Sequence, residues 1–153
     1  MVGIPAKISF RVALLTPRSK LLDCRAVAAI IPCTDGLRGI LRNHCPFLTG
    51  LSLGIMHVQG ITDRPDRPNA LYILEGGFAR FSENHLTVLA YEVITFEGLD
   101  PEKVKHMVAH AQDVLMDQDL AKANLMRMDK ARSRLIVRMA EMATQQTAPV
   151  TVT

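Results

Sequence analysis

Residues 34–51 read TDGLRGILRNHCPFLTGL and carry the strongest structural signal in the chain. Gly36 and Gly39 lie three residues apart and permit tight backbone reversals at positive φ, so a loop is predicted over residues 35–42. Pro46 disfavours helix in the residue before it, and the Asn-His-Cys-Pro corner therefore predicts an extended exit from that loop. Nothing in this order of residues resembles a catalytic motif.

A second patterned segment lies downstream, where residues 74–81 read LEGGFARF and residues 84–90 read NHLTVLA. In order and spacing, the two segments resemble the ε subunit of F-type ATP synthases. In that family a Gly-x-x-Gly-Ile/Val-Leu run leads to a His-x-Pro-Leu-Leu-Thr corner. A Gly-Gly-Phe/Ile turn then precedes a strand that reads Val-Thr-Val-Leu-Ala. The resemblance extends over residues 7–142.

The composition is that of a soluble protein with one or two small domains. At 153 residues, of which 48% are hydrophobic, the chain can bury a modest core. No apolar run approaches the roughly 20 residues of a membrane span, and we expect no secretory leader. The cysteines, at positions 24, 33 and 45, are odd in number, which favours a reducing compartment over a disulfide framework.

The first part of the chain has the hydrophobic period of β-strands. Apolar and polar residues alternate over residues 8–14, as in a half-buried strand. Two hairpins are also predicted, with arms at residues 55–58 and 71–74 and at residues 78–81 and 86–89. Many short strands at this spacing predict an antiparallel β-sandwich, which we assign to residues 1–97. In such a sandwich, Gly76 and Gly77 are expected at a turn or a bulge.

The hydrophobic period becomes helical in the last third of the chain. Asp100 is a good N-cap for a first helix, and Asp119 is predicted to cap a second, in which Met128 joins the helix–helix seam. The first helix has one apolar stripe, formed by Val104, Met107, Val108, Ala111 and Leu115. We therefore predict an antiparallel α-helical hairpin over residues 98–143 and a flexible tail over residues 144–153.

The second helix is markedly basic although the net charge of the chain is only +3. Its positive residues include Arg132, Arg134 and Arg138. A solvated helix face is the simpler explanation, and an acidic protein, a nucleic acid or an anionic membrane surface is the alternative partner. Aromatic residues make up only 5% of the chain, which argues against stacking on bases and so against nucleic acid.

The residues also argue against a metal site or a catalytic site. Cys24, Cys33, His44 and Cys45 are candidate soft ligands, but they lack Cys-x-x-Cys spacing, and adjacent residues of a strand point to opposite faces. Buried thiols are the simpler explanation. The glycine pair of residues 36–39 lacks the Gly-Lys-Ser/Thr ending of a phosphate-binding loop, and no Gly-x-Ser-x-Gly elbow occurs. We expect a non-catalytic protein with no metal and no cofactor.

The resemblance implies a rotor role for the β-sandwich. In the family, the sandwich packs against the central γ subunit and sits on the membrane ring of c subunits, so that ring rotation is coupled to ATP synthesis in the catalytic αβ head. By this likeness the c-ring-facing loop contains Asp35, Gly36, Leu37, Arg38 and Gly39. The γ-facing corner contains Asn43, His44 and Pro46.

The resemblance also implies a regulatory role for the helical hairpin, which in the family can extend along γ and block ATP hydrolysis. The implied contacts with the catalytic head are Arg132, Arg134 and Arg138. In some bacterial members the hairpin binds ATP through an Ile/Leu-Asp-x-x-Arg-Ala motif. The matching positions here are Met126, Arg127, Lys130 and Ala131, where Arg127 replaces the acidic residue and Lys130 the arginine. Because lysine lacks the bidentate fork of arginine, we expect no nucleotide binding.

By this resemblance, the chain is expected to be a non-catalytic rotor subunit of a proton-transporting F-type ATP synthase. Its expected partners are the γ subunit, the c-ring and the αβ head. We expect it to be peripheral, on the cytoplasmic face of a bacterial plasma membrane, and held there through the complex only. Two alternatives stay open. One is the equivalent subunit of a sodium-driven rotary ATPase, and the other is a soluble β-sandwich adaptor whose basic hairpin binds acidic proteins or nucleic acid.

Overall fold

The structure, a computed structural model, describes residues 8–116 and 126–147. The chain divides into two compact units, Met1–Thr95 and Phe96–Thr153. The first unit is built of strands and the second of helices. This order confirms the predicted β + α fold class.

Eight strands form the first unit. They are β1 Phe10–Leu15, β2 Lys20–Ala26, β3 Ala28–Cys33, β4 Gly36–Leu41, β5 Phe47–Leu51, β6 Gly54–Gln59, β7 Asn69–Ser82 and β8 His85–Ile94. Hydrogen bonds connect them in the order β2-β1-β8-β7-β5-β3-β4, and β6 pairs with both β3 and β7. β5 and β6 follow one another along β7 in a single register, with Leu51 opposite Gly77 and Gly54 opposite Leu74.

One strand pair departs from the predicted antiparallel arrangement. β1 runs parallel to β8, with Val12 opposite Leu86. The two strands lie at opposite ends of the first unit's sequence, so no tight turn has to join them, and a parallel direction is sterically open. β1 is antiparallel to β2 on its other edge, where Val12 lies opposite Cys24.

The core of the first unit lies between the inward faces of these strands. Phe10, Val12 and Leu14 of β1 are fully buried, as the alternating pattern predicts. The Phe10 ring packs edge-on against Phe81 of β7, with 5.7 Å between ring centroids. Tyr72 is the largest side chain in this buried group. Such edge-to-face pairs stabilise a core beyond the area that they bury.

Both predicted hairpins are confirmed. β6 and β7 are antiparallel around the proline-containing turn, and β7 and β8 are joined by Glu83 and Asn84. These two turn residues have φ of 52° and 57°. Positive φ at both central positions matches the right-handed twist of the strands on either side.

The predicted loop over residues 35–42 is wrong. β3 and β4 form a hairpin there, with Cys33 opposite Gly36 and Ile30 opposite Gly39. Gly36 has the expected positive φ, 124°, but Gly39 lies in the strand without it, and a Cβ on Gly39 would meet no atom within 4 Å. The alternation of buried Ile40 with exposed Leu37 and Leu41 is the strand signal within this segment.

Gly76 and Gly77 lie inside β7, so their expected position at a turn or bulge is wrong. The register with β8 is the same on both sides of the pair. Gly76 has φ of 63° and Gly77 of 119°. A Cβ on Gly77 would collide with the Leu89 carbonyl oxygen and lie 2.9 Å from Ala90 Cα. Gly77 is required because the backbone of β8 approaches closely at this point. Gly76 is favoured by its positive φ, since a Cβ there would meet only the Tyr91 ring, at 3.1 Å.

Two helices form the described part of the second unit, α1 Pro101–Met116 and α2 Met126–Thr147. Asp100 caps α1 as predicted, since its Oδ1 accepts a hydrogen bond of 3.2 Å from Glu102 N. Ala111 lies buried in the middle of the predicted apolar stripe, and Met139 of α2 is also buried. The predicted cap at Asp119 lies outside the described residues.

Two details of the helical prediction are corrected. α2 continues to Thr147, whereas the flexible tail was predicted from residue 144. The Thr144 hydroxyl donates to Ala140 O at 2.9 Å, so this polar residue bonds to its own helix and does not end it. Met128 is 55% exposed and does not lie in the helix–helix seam. Residues 148–153 of the predicted tail lie outside the described residues.

Candidate docking surfaces

The tip of the β3–β4 hairpin presents the residues predicted to face a membrane ring. Arg38 Nη2 lies 2.8 Å from Asp35 Oδ2, which closes an ion pair across the turn. The Arg38 guanidinium also lies 5.0 Å from the centroid of the Phe47 ring. The side chain of Leu37, the residue before Arg38, is 72% exposed. The tip therefore combines an internally neutralised charge pair with an exposed apolar side chain.

The corner between β4 and β5 contains the residues predicted to face γ. Asn43 has φ of 63°, a conformation that asparagine tolerates better than most residues. Its backbone N donates to Asn84 Oδ1 at 2.6 Å, and Asn84 Nδ2 donates to Asn43 Oδ1 at 3.1 Å. These two hydrogen bonds connect the corner to the β7–β8 turn. Pro46 is exposed beside them.

His44 is held at the corner by aromatic rings. Its ring packs edge-on against Phe47 and Phe81, at centroid distances of 5.3 and 5.8 Å. Phe47 and Phe81 stack on one another at 6.1 Å. The His44 side chain is therefore oriented by packing on the core, and Nδ1 lies 2.8 Å from Cys45 O.

A third surface, which sequence reasoning missed, lies on the outer side of the strands. We call it the β5–β7–β8 face, and its members are Leu48, Phe78, Leu89 and Tyr91. Phe78 lies opposite Leu89 on one side and Gly50 on the other. Phe78 is 52% exposed and Leu48 is 74% exposed. Exposed large apolar side chains on adjacent strands are typical of a protein-binding surface.

The sequence signal for this face is a strand with apolar residues on both of its faces. In β8, Leu86, Val88 and Ala90 are buried, while Leu89 and Tyr91 point the other way and are exposed. A strand with one solvated face shows apolar residues at every second position only. In β8, apolar residues occupy odd-numbered as well as even-numbered positions, so both faces of the strand are apolar. This indicates that a partner covers the outer face.

The helical hairpin does not bring the three predicted arginines onto one face. Arg134 and Arg138 are exposed and four residues apart, so they lie on the same side of α2. Arg132 is only partly exposed, and its Nε is shielded from solvent. Of the predicted nucleotide motif, Lys130 and Ala131 are half-buried, whereas the side chains of Met126 and Arg127 are not among those described.

The candidate metal ligands are not brought together. Cys24 and Cys33 are buried in the core, and Cys45 is exposed. Burial raises the pKa of the Cys33 thiol, which keeps it protonated and unreactive. Across residues 8–116 and 126–147, no group of three His, Cys, Asp or Glu side chains has the spacing of a metal site. No helix in the same ranges is long and apolar enough to cross a membrane.

An exposed charge cluster links β1 and β2. Arg11 pairs with Asp23 through two hydrogen bonds of 2.9 and 2.8 Å, and Lys20 Nζ lies 2.8 Å from the same carboxylate. The hydrogen bond from Arg11, followed by that from Lys20, holds the pKa of Asp23 well below its usual range. The carboxylate therefore stays ionised at every pH at which the protein would work.

Comparison with known proteins places this geometry in a family. The family described as "ATP synthase, Delta/Epsilon chain, beta-sandwich domain" matches residues 9–96. The ATP synthase epsilon chain of Thermosynechococcus vestitus is 38% identical over 104 residues, which are 68% of this chain and 72% of that protein. The chloroplastic ATP synthase epsilon chain of Chlamydomonas reinhardtii is 35% identical over 100 residues, 64% of this chain and 70% of that protein.

A solved structure shares the fold across both units. A chain in the Euglena gracilis mitochondrial ATP synthase, solved with OSCP, F1 and the c-ring, superimposes with a TM-score of 0.56 at 21% identity. The superposition covers 92% of this chain and 83% of that one. The matched family domain, the two relatives and the common fold agree. The chain therefore belongs to the ATP synthase delta/epsilon chain family.

Proposed function

We propose that this chain is the ε subunit of an F-type ATP synthase. It is a non-catalytic subunit of the central stalk, which joins the γ subunit to the ring of c subunits and turns with them beneath the catalytic αβ head. Family membership supports this role, because the relatives with 35–38% identity are ATP synthase epsilon chains. The match over residues 9–96 covers all three surfaces of the first unit.

The observation that carries the proposal is the β5–β7–β8 face. Phe78 and Leu89 face outward from the centre of a sheet whose other side already forms the core. An aromatic side chain and neighbouring aliphatic ones, exposed together, supply the apolar centre that a stable protein interface needs. We assign this face to the γ subunit. The corner residues Asn43, His44 and Pro46 adjoin Leu48 along the chain and extend the same contact.

The β3–β4 tip is assigned to the c-ring. β4 runs from Gly36 at the tip to Leu41 beside the corner, so the tip and the γ-facing corner lie at opposite ends of one strand. A single rigid strand pair can therefore touch two partners at once. At the tip, Asp35, Leu37 and Arg38 make the contact, while Gly36 and Gly39 keep its backbone accessible. Close-packed sheets are poorly compressible, which suits an element that transmits torque.

The second unit is assigned a regulatory role towards the catalytic head. The exposed pair Arg134 and Arg138 presents positive charge on one side of α2 and is suited to acidic residues on the head. Arg132 takes no direct part because it is partly buried within its own unit. The altered motif at Met126, Arg127, Lys130 and Ala131 gives no basis for nucleotide binding.

The chain is placed at the membrane by its partners alone. We propose the proton as the coupling ion. The proposed location is the cytoplasmic face of a bacterial plasma membrane, in line with bacterial relatives such as that of Brucella canis, 29% identical over 109 residues. A sodium-driven ring would use the same ε contacts, since ion choice belongs to the c subunits.

Affinity purification from native membranes tests the proposal. The tagged chain should retain γ, the α and β subunits and the c subunit, each identified by mass. Phe78→Asp should lower the retained γ at least tenfold, since loss of a central aromatic anchor costs about 2 kcal/mol or more. Met116→Asp is the control, because Met116 is also a large apolar side chain, is more exposed than Phe78 (79% against 52%) and lies outside the face.

Two results would contradict the assignment. If the wild-type chain retains acidic proteins unrelated to ATP synthase, the soluble adaptor replaces the rotor subunit. If Phe78→Asp and Met116→Asp retain equal amounts of γ while both variants melt like the wild type, the β5–β7–β8 face is not the γ contact.

A further inference from the structure

An open, polar cleft of about 360 Å³ lies on the first unit, at the end that carries the Asn43–Asn84 connection. It is bounded by the start of β1, the end of β2, the β4–β5 corner and the β7–β8 turn. Its basic side chains are those of Arg11, Arg25, Arg42 and His85. Arg42 lies in the β4–β5 corner next to Asn43, and the other three residues belong to none of the surfaces assigned above.

Three of the basic side chains form a row across adjacent strands. Arg11 of β1 lies opposite Arg25 of β2 on one edge and opposite His85 of β8 on the other. Residues directly opposite in paired strands have Cβ atoms about 5 Å apart on the same face, and like charges in such positions are destabilising. The Arg11–Arg25 pair is therefore an electrostatic cost that the fold itself does not require.

Acidic side chains of the protein offset the repulsion between these two arginines only in part. Arg11 is neutralised by Asp23. The Arg25 guanidinium donates to Ser9 Oγ at 3.2 Å and to Ser9 O at 3.5 Å, and neither acceptor is charged. Asp63 accepts hydrogen bonds from the backbone N of Arg25, so its carboxylate is directed to the main chain. Glu83 supplies an acidic side chain to the rim.

His85 also lines the cleft, beside the arginines. Its Nε2 is shielded from solvent, so a ligand in the open cleft does not contact that atom. The imidazole ring lies close enough to the cleft to report on a charged group bound there.

We propose that this cleft binds a phosphate group. The guanidinium of Arg25 and that of Arg42, which is exposed at the corner, would donate to its oxygens. The planar fork of arginine matches a tetrahedral oxyanion, and the cleft is open enough for orthophosphate or for a phosphate ester such as a lipid headgroup. The site is separate from the nucleotide motif of the helical hairpin and does not rest on docking to γ.

Titration of the full chain with inorganic phosphate tests the site, with sodium chloride used to hold the ionic strength constant. The imidazole resonances of His85, assigned by comparison with His85→Gln, should shift saturably. Arg25→Gln and Arg42→Gln should each weaken binding about tenfold, the effect of losing one charge-assisted hydrogen bond. Arg18→Gln removes an equal charge away from the cleft and should bind as the wild type does.

A second arm identifies the source of the phosphate. Sedimentation with phosphatidylglycerol vesicles, against phosphatidylcholine vesicles, should retain the chain if a headgroup reaches the cleft, and Arg42→Gln should then lose this retention. Saturable orthophosphate binding without vesicle retention assigns the cleft to soluble phosphate. If neither phosphate nor vesicles bind, or if Arg18→Gln weakens binding as much as Arg42→Gln, the cleft is not a phosphate site. Arg42 is exposed, so its variant should fold normally and keep this test decisive.

Discussion

Replacement of Gly77 by alanine should destabilise the first unit strongly, whereas the same change at Gly39 should not. At Gly77 the φ of 119° is unfavourable for alanine, which costs about 1–3 kcal/mol. The new Cβ would also strike the Leu89 carbonyl, and moving β8 away sacrifices ladder hydrogen bonds worth about 1 kcal/mol each. The free energy of unfolding should therefore fall by about 2–4 kcal/mol, and the midpoint by about 10 °C or more.

Gly39→Ala provides the matched control within the same sheet. Gly39 has open space for a Cβ and no positive φ, so alanine should leave stability unchanged or raise it by about 0.5–1 kcal/mol through a less flexible unfolded chain. Urea unfolding can be followed by the fluorescence of buried Tyr72, since the chain has no Trp. Equal stability of the two variants would refute the close approach of β7 and β8.

Three further predictions concern charge and thiols. Asp23→Asn should lower stability at neutral pH, and because the folded pKa of Asp23 is depressed, its stabilising effect should be present above pH ~4 and lost as the pH falls below it. Calorimetric melts from pH 7 to pH 2 should converge for variant and wild type at the acid end. Arg134→Ala with Arg138→Ala should raise the ATP hydrolysis rate of the assembled complex at low salt, with a smaller gain at high salt, and unchanged rates would leave the hairpin without an inhibitory contact. Cys45 should react with a thiol reagent in the native protein, and the two buried cysteines only after unfolding; rapid labelling of all three would contradict the core described above.

The β6–β7 and β7–β8 hairpins were predictable from sequence because their turns contain residues that fit special backbone geometry. In the β7–β8 turn, Glu83 and Asn84 lie between two apolar runs. The connection between β6 and β7 contains two prolines, Pro65 and Pro68. Helix α1 was predictable for a similar reason, since Asp100 marks its start and the apolar stripe has a single period. Local chemistry alone decides these elements.

The β3–β4 hairpin and the β5–β7–β8 face were not predictable by the same reasoning. Gly36 and Gly39 look alike in sequence, yet only Gly36 needs its conformational freedom, because Gly36 lies at the turn of the β3–β4 hairpin and Gly39 pairs with Ile30 within its strands. On the outer face, Phe78 and Leu89 read as further core residues until the register shows that Ala79 and Val88 fill that role. In both cases the register of the paired strands decides what the spacing of glycines and apolar residues alone leaves open.

The parallel pairing of β1 with β8 has a consequence for how the chain folds during its synthesis. β1 is made first, but the strand that covers its open edge is made last in the first unit, more than 70 residues later. The edge of β1 that pairs with β8 therefore stays unpaired until β8 has been made. Pairing between strands that are this far apart in sequence is slow. The sandwich can therefore close only once β8 is available to pair with β1.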